Sequence, residues 1–316
     1  MLVCFYNGIA ENVPMRLNQT RIIALANQKG GCGKTTTAVS LAAGFAVENY
    51  AACVVDTDPQ CNATDSFAVD RDELAKAGRY TVADIYLAKK PAVEVNIGFG
   101  DRFASRLTLV PGHRGLVSVS HRLDSQLQTS ISSDDTSDLD ADDIKNEHRH
   151  RLKHSLDSLR GLHDVIFVDT PPDLGFLMTT ALIAADYFII PVFPSGYDLK
   201  GLETLMRTVE KVQKRFNPGL RLLGVVLGNF DSTAKLDSDI HKMLSRKFGA
   251  DLIFQTTINR SVKHREATVY GQTIFEHAQG QQASNQFLAL VREVLVRLNG
   301  EQAAREPASF QVAKRG

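Results

Sequence analysis

Asn27-Gln28-Lys29-Gly30-Gly31-Cys32-Gly33-Lys34-Thr35-Thr36-Thr37 follows the apolar run Arg21-Ile22-Ile23-Ala24-Leu25-Ala26, and this junction decides how the chain is read. Gly30, Gly31 and Gly33 let successive backbone N–H groups close on an anion without Cβ clashes. Cys32 sits among them as a small residue whose own N–H joins the cradle. Lys34 reaches toward terminal phosphates, and the Thr35 hydroxyl is placed to ligate magnesium. A helix from Lys34 to about Val47 then points its N-terminal N–H groups and positive dipole end at the same anion. The usual loop has glycine five residues before Gly33, where Gln28 stands here. Lys29 is additional and cannot cradle the same phosphates from inside the loop. It is expected to reach out of its own subunit, toward a nucleotide held by a second copy.

Working outward, further apolar runs occur at Ala52–Asp56, Arg106–Val110, Asp164–Asp169, Tyr187–Val192, Leu222–Leu227 and Leu252–Phe254. They are continuous rather than alternating, and helical stretches separate them. That pattern predicts an α/β fold, a mostly parallel twisted sheet covered by helices on both faces. Such sheets bind ligands beyond the carboxyl ends of their strands. The expected organisation is a tail over 1–20, one P-loop domain over 21–300, and a second tail over 301–316. Residues 130–143 break the rhythm with an acidic, polar stretch that reads as a disordered insert. A calcium loop is not indicated there, because a glycine turn and a terminal glutamate are missing.

Two acidic groups end strands. Asp56-Thr57-Asp58-Pro59-Gln60 closes the second apolar run, with carboxylates two apart that suit magnesium-shell contacts and the positioning of an attacking water. Asp169-Thr170-Pro171-Pro172 closes a later one in the manner of a Walker B aspartate acting on magnesium.

Taken together, Lys29-Gly-Gly-x-Gly-Lys34-Thr-Thr, Asp56-x-Asp58-Pro-Gln60-x-Asn62-Ala63-Thr64 and Asp169-Thr-Pro-Pro172 resemble the ParA/Soj family of plasmid and chromosome partitioning ATPases. The likeness extends through Ala184-Ala185-Asp186 and Ile190-Pro191-Val192 to Ile258–Lys263 and Tyr270-Gly271, about residues 20–300, with the acidic insert foreign to it. The resemblance implies a deviant Walker A ATPase using ATP/ADP and Mg²⁺. It further implies an ATP-sandwich homodimer, DNA binding without sequence preference, and a ParB-like centromere-binding partner that stimulates hydrolysis. Carried onto this chain, Lys34 holds the β- and γ-phosphates and Thr36 sits by the α-phosphate. Thr35 and Asp169 serve the metal, and Asp58 orients the lytic water at the edge of the Mg²⁺ shell. Lys29 crosses the dimer interface, and Asn229 and Ile258 stand where relatives contact adenine. Family members commonly show proline where Ile258 stands and serine where Asp173 stands, so Asp173 adds a charge near the γ-phosphate switch.

The same resemblance makes two basic groups candidates for DNA. On a helix near Asp198–Arg215, at 100° per residue, Leu199, Leu202, Leu205, Met206, Val209 and Val212 share one side, while Arg207, Lys211, Lys214 and Arg215 share the other. The second group is Arg260, Lys263 and Arg265. With Lys plus Arg at 36 and Asp plus Glu at 36, net charge favours no nucleic acid, and any such contact must be a local patch. No apolar run approaches the roughly 18 residues that span a bilayer. The last helix, with Phe287, Leu288, Leu290, Val291, Val294, Leu295 and Leu298, reads as domain packing and not as a MinD-like membrane anchor. A cytoplasmic, nucleoid-associated protein is therefore expected. Cys4, Cys32, Cys53 and Cys61 show no Cys-x-x-Cys spacing, so disulfides are not expected, and Cys32 and Cys53 read as small space-fillers. Only some 20 residues precede the first strand, so a dedicated helix-turn-helix is not expected. A nucleotide-switch scaffold for another cargo, or a MinD-like spatial regulator, stands as the alternative function.

Overall fold

Short β-rich runs alternating with amphipathic stretches assemble here into one sheet with helices on each side. The structure, a computed structural model, describes residues 3–6, 9–12, 17–77, 80–97, 106–119, 121–123, 125, 141–194 and 198–299. The first two strands, β1 (Val3–Tyr6) and β2 (Ile9–Asn12), form a separate antiparallel hairpin. The main sheet comprises β3 (Arg21–Leu25), β4 (Ala52–Asp56), β5 (Val95–Asn96), β6 (Leu107–Val110), β7 (Val165–Asp169), β8 (Tyr187–Val192), β9 (Arg221–Phe230) and β10 (Ile258–Asn259). Their order across the sheet is β10-β9-β8-β3-β7-β4-β6-β5, and only the edge strand β5 runs antiparallel to its neighbour.

Side chains alternate between two apolar layers, as the pleat requires. Ile22 and Ala24 of β3 face one core, and Ile23 and Leu25 face the other. The first core is closed by α4 (Val82–Ala88), α5 (Ala141–Asp157), α6 (Phe176–Ala184), α7 (Leu199–Arg215) and α8 (Lys235–Phe248), after the short α2 (Asn62–Ser66) and α3 (Arg71–Lys76). The second is closed by α1 (Lys34–Val47) with α10 (Ile274–His277) and α11 (Gln282–Asn299), which follow α9 (Lys263–Val269). Helix α11 buries Phe287, Leu290, Val291, Val294, Leu295 and Leu298, each worth roughly 1.5–3 kcal/mol of burial. It approaches α1 so closely that a Cβ on Gly44 would lie 2.7 Å from Val291 Cγ2. Among the described residues, no helix is long and apolar enough to cross a membrane.

Several boundaries differ from the sequence expectation. Leu252–Phe254 is not a strand: Ala250–Leu252 is a 3-10 turn, and Ile253 makes a single bridge to Val225. The backbone there is claimed by other partners: the Leu252 and Ile253 N–H groups turn back to the Gly249 and Ala250 carbonyls, and Arg297 donates to the Ile253 carbonyl at 2.8 Å. The Glu293 carboxylate takes the next N–H groups, of Gln255 and Thr256, at 2.8 and 3.0 Å. Strands β5 and β10 have two residues each, too few to show a period. Residues 17–20 belong to the body, because Leu17 is buried and the Thr20 hydroxyl donates to the His163 carbonyl at 2.6 Å. The acidic stretch lies outside the described residues except for Ala141–Asp143, which open α5. Residues 300–316 lie outside them as well.

Candidate active site

The phosphate loop joins β3 to α1, and its shape is fixed by backbone needs. Gly31 and Gly33 take φ of +70° and +90°, which side-chain-bearing residues rarely adopt. A Cβ at Gly33 would also lie 2.7 Å from the Phe193 ring. The loop is anchored from below by Asn27, whose amide donates to the Pro191 carbonyl at 2.7 Å and whose side-chain oxygen accepts the Lys29 N–H at 3.0 Å. Lys34 is buried, with Nζ donating to the Lys29 carbonyl at 3.1 Å. The Cys32 thiol donates to that same carbonyl, and burial pushes its pKa up. Lys29, Gly30 and Gly31 are exposed at the rim, so the lysine pair divides into one ammonium inside and one side chain at the surface.

Beneath the loop, β4 and β7 are adjacent and in register, placing Asp56 opposite Asp169. The Thr35 hydroxyl donates to Asp169 Oδ2 at 2.7 Å. Asp169 Oδ1 is buried with no partner. Burial first, then the charges of Asp56 and Asp58, drive the Asp169 carboxyl well above the usual carboxylate range, against the opposing pull of Thr35 and Lys34. An orphaned acceptor among three carboxylates, beside a hydroxyl and an ammonium, suits a hard divalent cation such as Mg²⁺.

The two carboxylates of the Asp56–Asp58 pair differ in employment. Asp56 is fully buried and consumed by local structure: Oδ2 accepts from Thr64 N and Oγ1 at 2.8 and 2.6 Å, and Oδ1 accepts from Asp58 N at 3.2 Å. Thr64 Oγ1 in turn accepts the Gly112 N–H at 2.9 Å. Burial, opposed by these bonds, leaves the Asp56 carboxyl pushed up to about 6. The expectation that both carboxylates serve the metal shell therefore narrows, since Asp56 holds the loop that carries Asp58. Asp58 accepts one bond from Gln60 N at 2.8 Å, and its other oxygen has no role in that turn. Asp173 is exposed, and one of its oxygens accepts the Gly175 N–H at 2.7 Å at the start of α6.

Beside α1 a cleft of about 340 Å³ opens between the phosphate loop, β9 and α9. Its walls include Thr36, Asn229 and Ile258, with Asn229 at φ +52° at the end of β9. Sequence reasoning passed over two further residues here. Phe193 fills the space above Gly33 and Gly228, and a Cβ at Gly228 would lie 2.5 Å from its ring. His264 stands edge-on to Phe287, with both ring nitrogens buried and unpartnered, and burial lowers its pKa. The signal for Phe193 was a glycine inside strand β9, which marks close approach; for His264 the sequence held none.

The AAA_31 family, described as an AAA domain, matches residues 20–222. The chromosome partitioning protein ParA of Caulobacter vibrioides (strain NA1000 / CB15N) is 31% identical over 291 residues, covering 92% of this chain and 99% of that protein. The chain belongs to the ParA/Soj family of partitioning ATPases. The chromosome-partitioning ATPase Soj of Thermus thermophilus is 32% identical over 280 residues, covering 89% and 97%. At the level of fold, cobyrinic acid a,c-diamide synthase from Mycobacterium smegmatis, solved with bound ADP and magnesium, superposes with a TM-score of 0.68 at 24% identity, over 92% of this chain and 99% of that one.

For this ParA/Soj member the two basic groups are differently placed. Arg207, Lys211, Lys214 and Arg215 are all exposed along α7, whose opposite face buries Leu202, Leu205, Val209 and Val212. Leu199, expected on the apolar side, is 39% exposed at the first turn, ahead of the packed stretch. Arg260 and Arg265 are exposed, and Arg265 lines the cleft. Lys263 is half-buried and its ammonium pairs with Glu266 at 2.8 Å, a partly exposed pair that a phosphate contact there would have to displace. Cys32, Cys53 and Cys61 are buried free thiols.

Proposed function

We propose that this ATPase is a nucleotide-driven partitioning switch: ATP with Mg²⁺ joins two copies face to face, the dimer holds DNA without sequence preference, and a ParB-type partner triggers hydrolysis and release. The observation that carries the reading is the split of the two lysines, with Lys34 buried at the loop and Lys29 exposed at its rim. Lys34 and the loop N–H groups neutralise the β- and γ-phosphates. Thr35 and Asp169 would hold the metal, which supplies charge neutralisation across the phosphate oxygens. Thr36 lies by the α-phosphate, and Asn229 and Ile258 border the base in the adjoining cleft. Asp58 orients the attacking water with its unengaged oxygen. Lys29 reaches the partner copy's triphosphate, so the sandwich forms only when nucleotide is bound.

Two basic surfaces per dimer strengthen a weak phosphate contact by avidity. ATP state thereby sets residence on nucleoid DNA, in a cytoplasmic protein, and the cargo is a plasmid or chromosome. The test is ATP turnover measured with DNA and an arginine-bearing ParB-like N-terminal peptide, separately and together. Slow turnover alone with stimulation by both is expected. Absence of stimulation under every combination would overturn the switch and favour a scaffold.

A further inference from the structure

We propose that Cys53, Glu94 and His163 form a binding site for a transition-metal ion of the zinc class, separate from the magnesium-nucleotide site. One donor atom from each lies within 4.8 Å of the other two. The topology brings them together from three distant stretches. Cys53, on β4, is in register with Ile166 of β7 on one side and Thr108 of β6 on the other. His163 precedes β7, and Glu94 precedes β5, whose Asn96 pairs with Thr108. Asp56, at the phosphate end, is three residues further along β4, about 10 Å away along the strand.

Packing alone does not account for this trio. The His163 side chain is 7% exposed, and neither ring nitrogen has an aligned hydrogen bond, although Nε2 stands 2.5 Å from Glu94 Oε1. Glu94 holds Nε2 as an ion pair, but the buried Nδ1 is left without a partner, which costs stability unless something else engages the ring. Cys53 is fully buried, with its thiol near the Val54 carbonyl at 3.5 Å and facing the Glu94 carboxylate and the Thr108 hydroxyl. A thiolate, an imidazole and a carboxylate match a borderline-soft ion, whereas magnesium and calcium take oxygen donors. Tetrahedral zinc bonds put such donor atoms roughly 3.3–3.6 Å apart. The His163–Glu94 contact would therefore open by roughly 0.8 Å on binding. Glu94, with its side chain 20% exposed, is the open side. Solvent would supply the fourth ligand on that side, while the Thr108 hydroxyl, which donates to Glu94 Oε1 at 2.5 Å, orients the carboxylate. Cys53 would bind as thiolate, releasing its proton to solvent.

The experiment uses tag-free, nucleotide-free full-length protein in excess Mg²⁺, titrated with Co²⁺ and then Zn²⁺. One equivalent of Co²⁺ is expected to give thiolate-to-metal charge-transfer absorption and tetrahedral visible bands, both discharged by Zn²⁺. Cys53→Ser should abolish the charge-transfer band, while Cys61→Ser keeps it. Glu94→Gln and His163→Gln, which remove direct ligands, should each weaken Zn²⁺ binding by at least the roughly 100-fold upper cost of losing an outer-shell partner. X-ray absorption on the zinc-loaded wild type needs no variant and should show one sulfur with nitrogen and oxygen neighbours. An all-oxygen shell, no charge-transfer band in the wild type, or a band unchanged in Cys53→Ser would each overturn the site and leave a His163–Glu94 ion pair beside a space-filling thiol.

Discussion

Helices α1 and α7 each follow a parallel strand and each carry lysine, yet they use the sequence in opposite ways. Helix α1 is buried along almost its whole length, from Lys34 through Thr37 to Ala46, and it is entered through Gly33 in a left-handed conformation. Helix α7 buries four aliphatic residues and turns Arg207, Lys211, Lys214 and Arg215 to solvent. Function at the first is a matter of fixed geometry, in which each atom has one place. The DNA contact proposed for the second would be a sum of screened charges, in which no single side chain is decisive. Single substitutions should therefore act steeply at α1 and shallowly on the outer face of α7.

The largest effect is expected from Lys34→Ala, which should weaken ATP binding by about 100-fold or more, equivalent to roughly 2.7 kcal/mol, in a fluorescent-nucleotide titration. Retention of near-wild-type affinity would erase the distinction between the helices. On α7 the buried face should behave like α1 in stability alone. Leu205→Ala, at a fully buried position, should cost about 2–5 kcal/mol in urea unfolding. Its DNA affinity per folded molecule should stay unchanged.

The solvent face should respond more gently. Lys211→Ala combined with Lys214→Ala should lower DNA affinity while leaving ATP binding intact. It should also reduce the slope of log K against log salt by about one per lysine. A slope that does not move would remove α7 from the DNA surface and leave Arg260 and Arg265.

The smallest effect concerns His264, a neutral imidazole whose pKa burial lowers. Its contribution to stability is fully present above the unfolded value near 6.5 and is lost as pH falls toward the folded one. His264→Leu should flatten that part of the melting-temperature profile below pH 6.5, and an unchanged profile would contradict the assignment.

The phosphate loop and the two strand-end aspartates were legible because their chemistry tolerates few residue types. Helix α1 and the positions of most central strands were legible because burial on both faces leaves continuous aliphatic runs, whereas their order across the sheet was not. What the sequence concealed was decided by side chains from elsewhere. Glu293 and Arg297 claimed the backbone that would have extended a strand at Ile253. Thr64 claimed Asp56, a carboxylate whose spacing alone suggested metal work. Glu266 paired with Lys263, which a basic motif had suggested for DNA. The Cys53–Glu94–His163 trio spans over 100 residues of chain, a juxtaposition that only the strand order β7-β4-β6-β5 creates.

The central claim is that Lys29 makes bound ATP part of an interface between two copies. Sedimentation with ATP and Mg²⁺ tests it most directly, using Asp58→Ala to hold the nucleotide unhydrolysed and comparing it with the same chain also carrying Lys29→Ala. The account predicts a two-chain species for the first and an ATP-bound single chain for the second. A single ATP-loaded chain in both, or two chains in both, would contradict it.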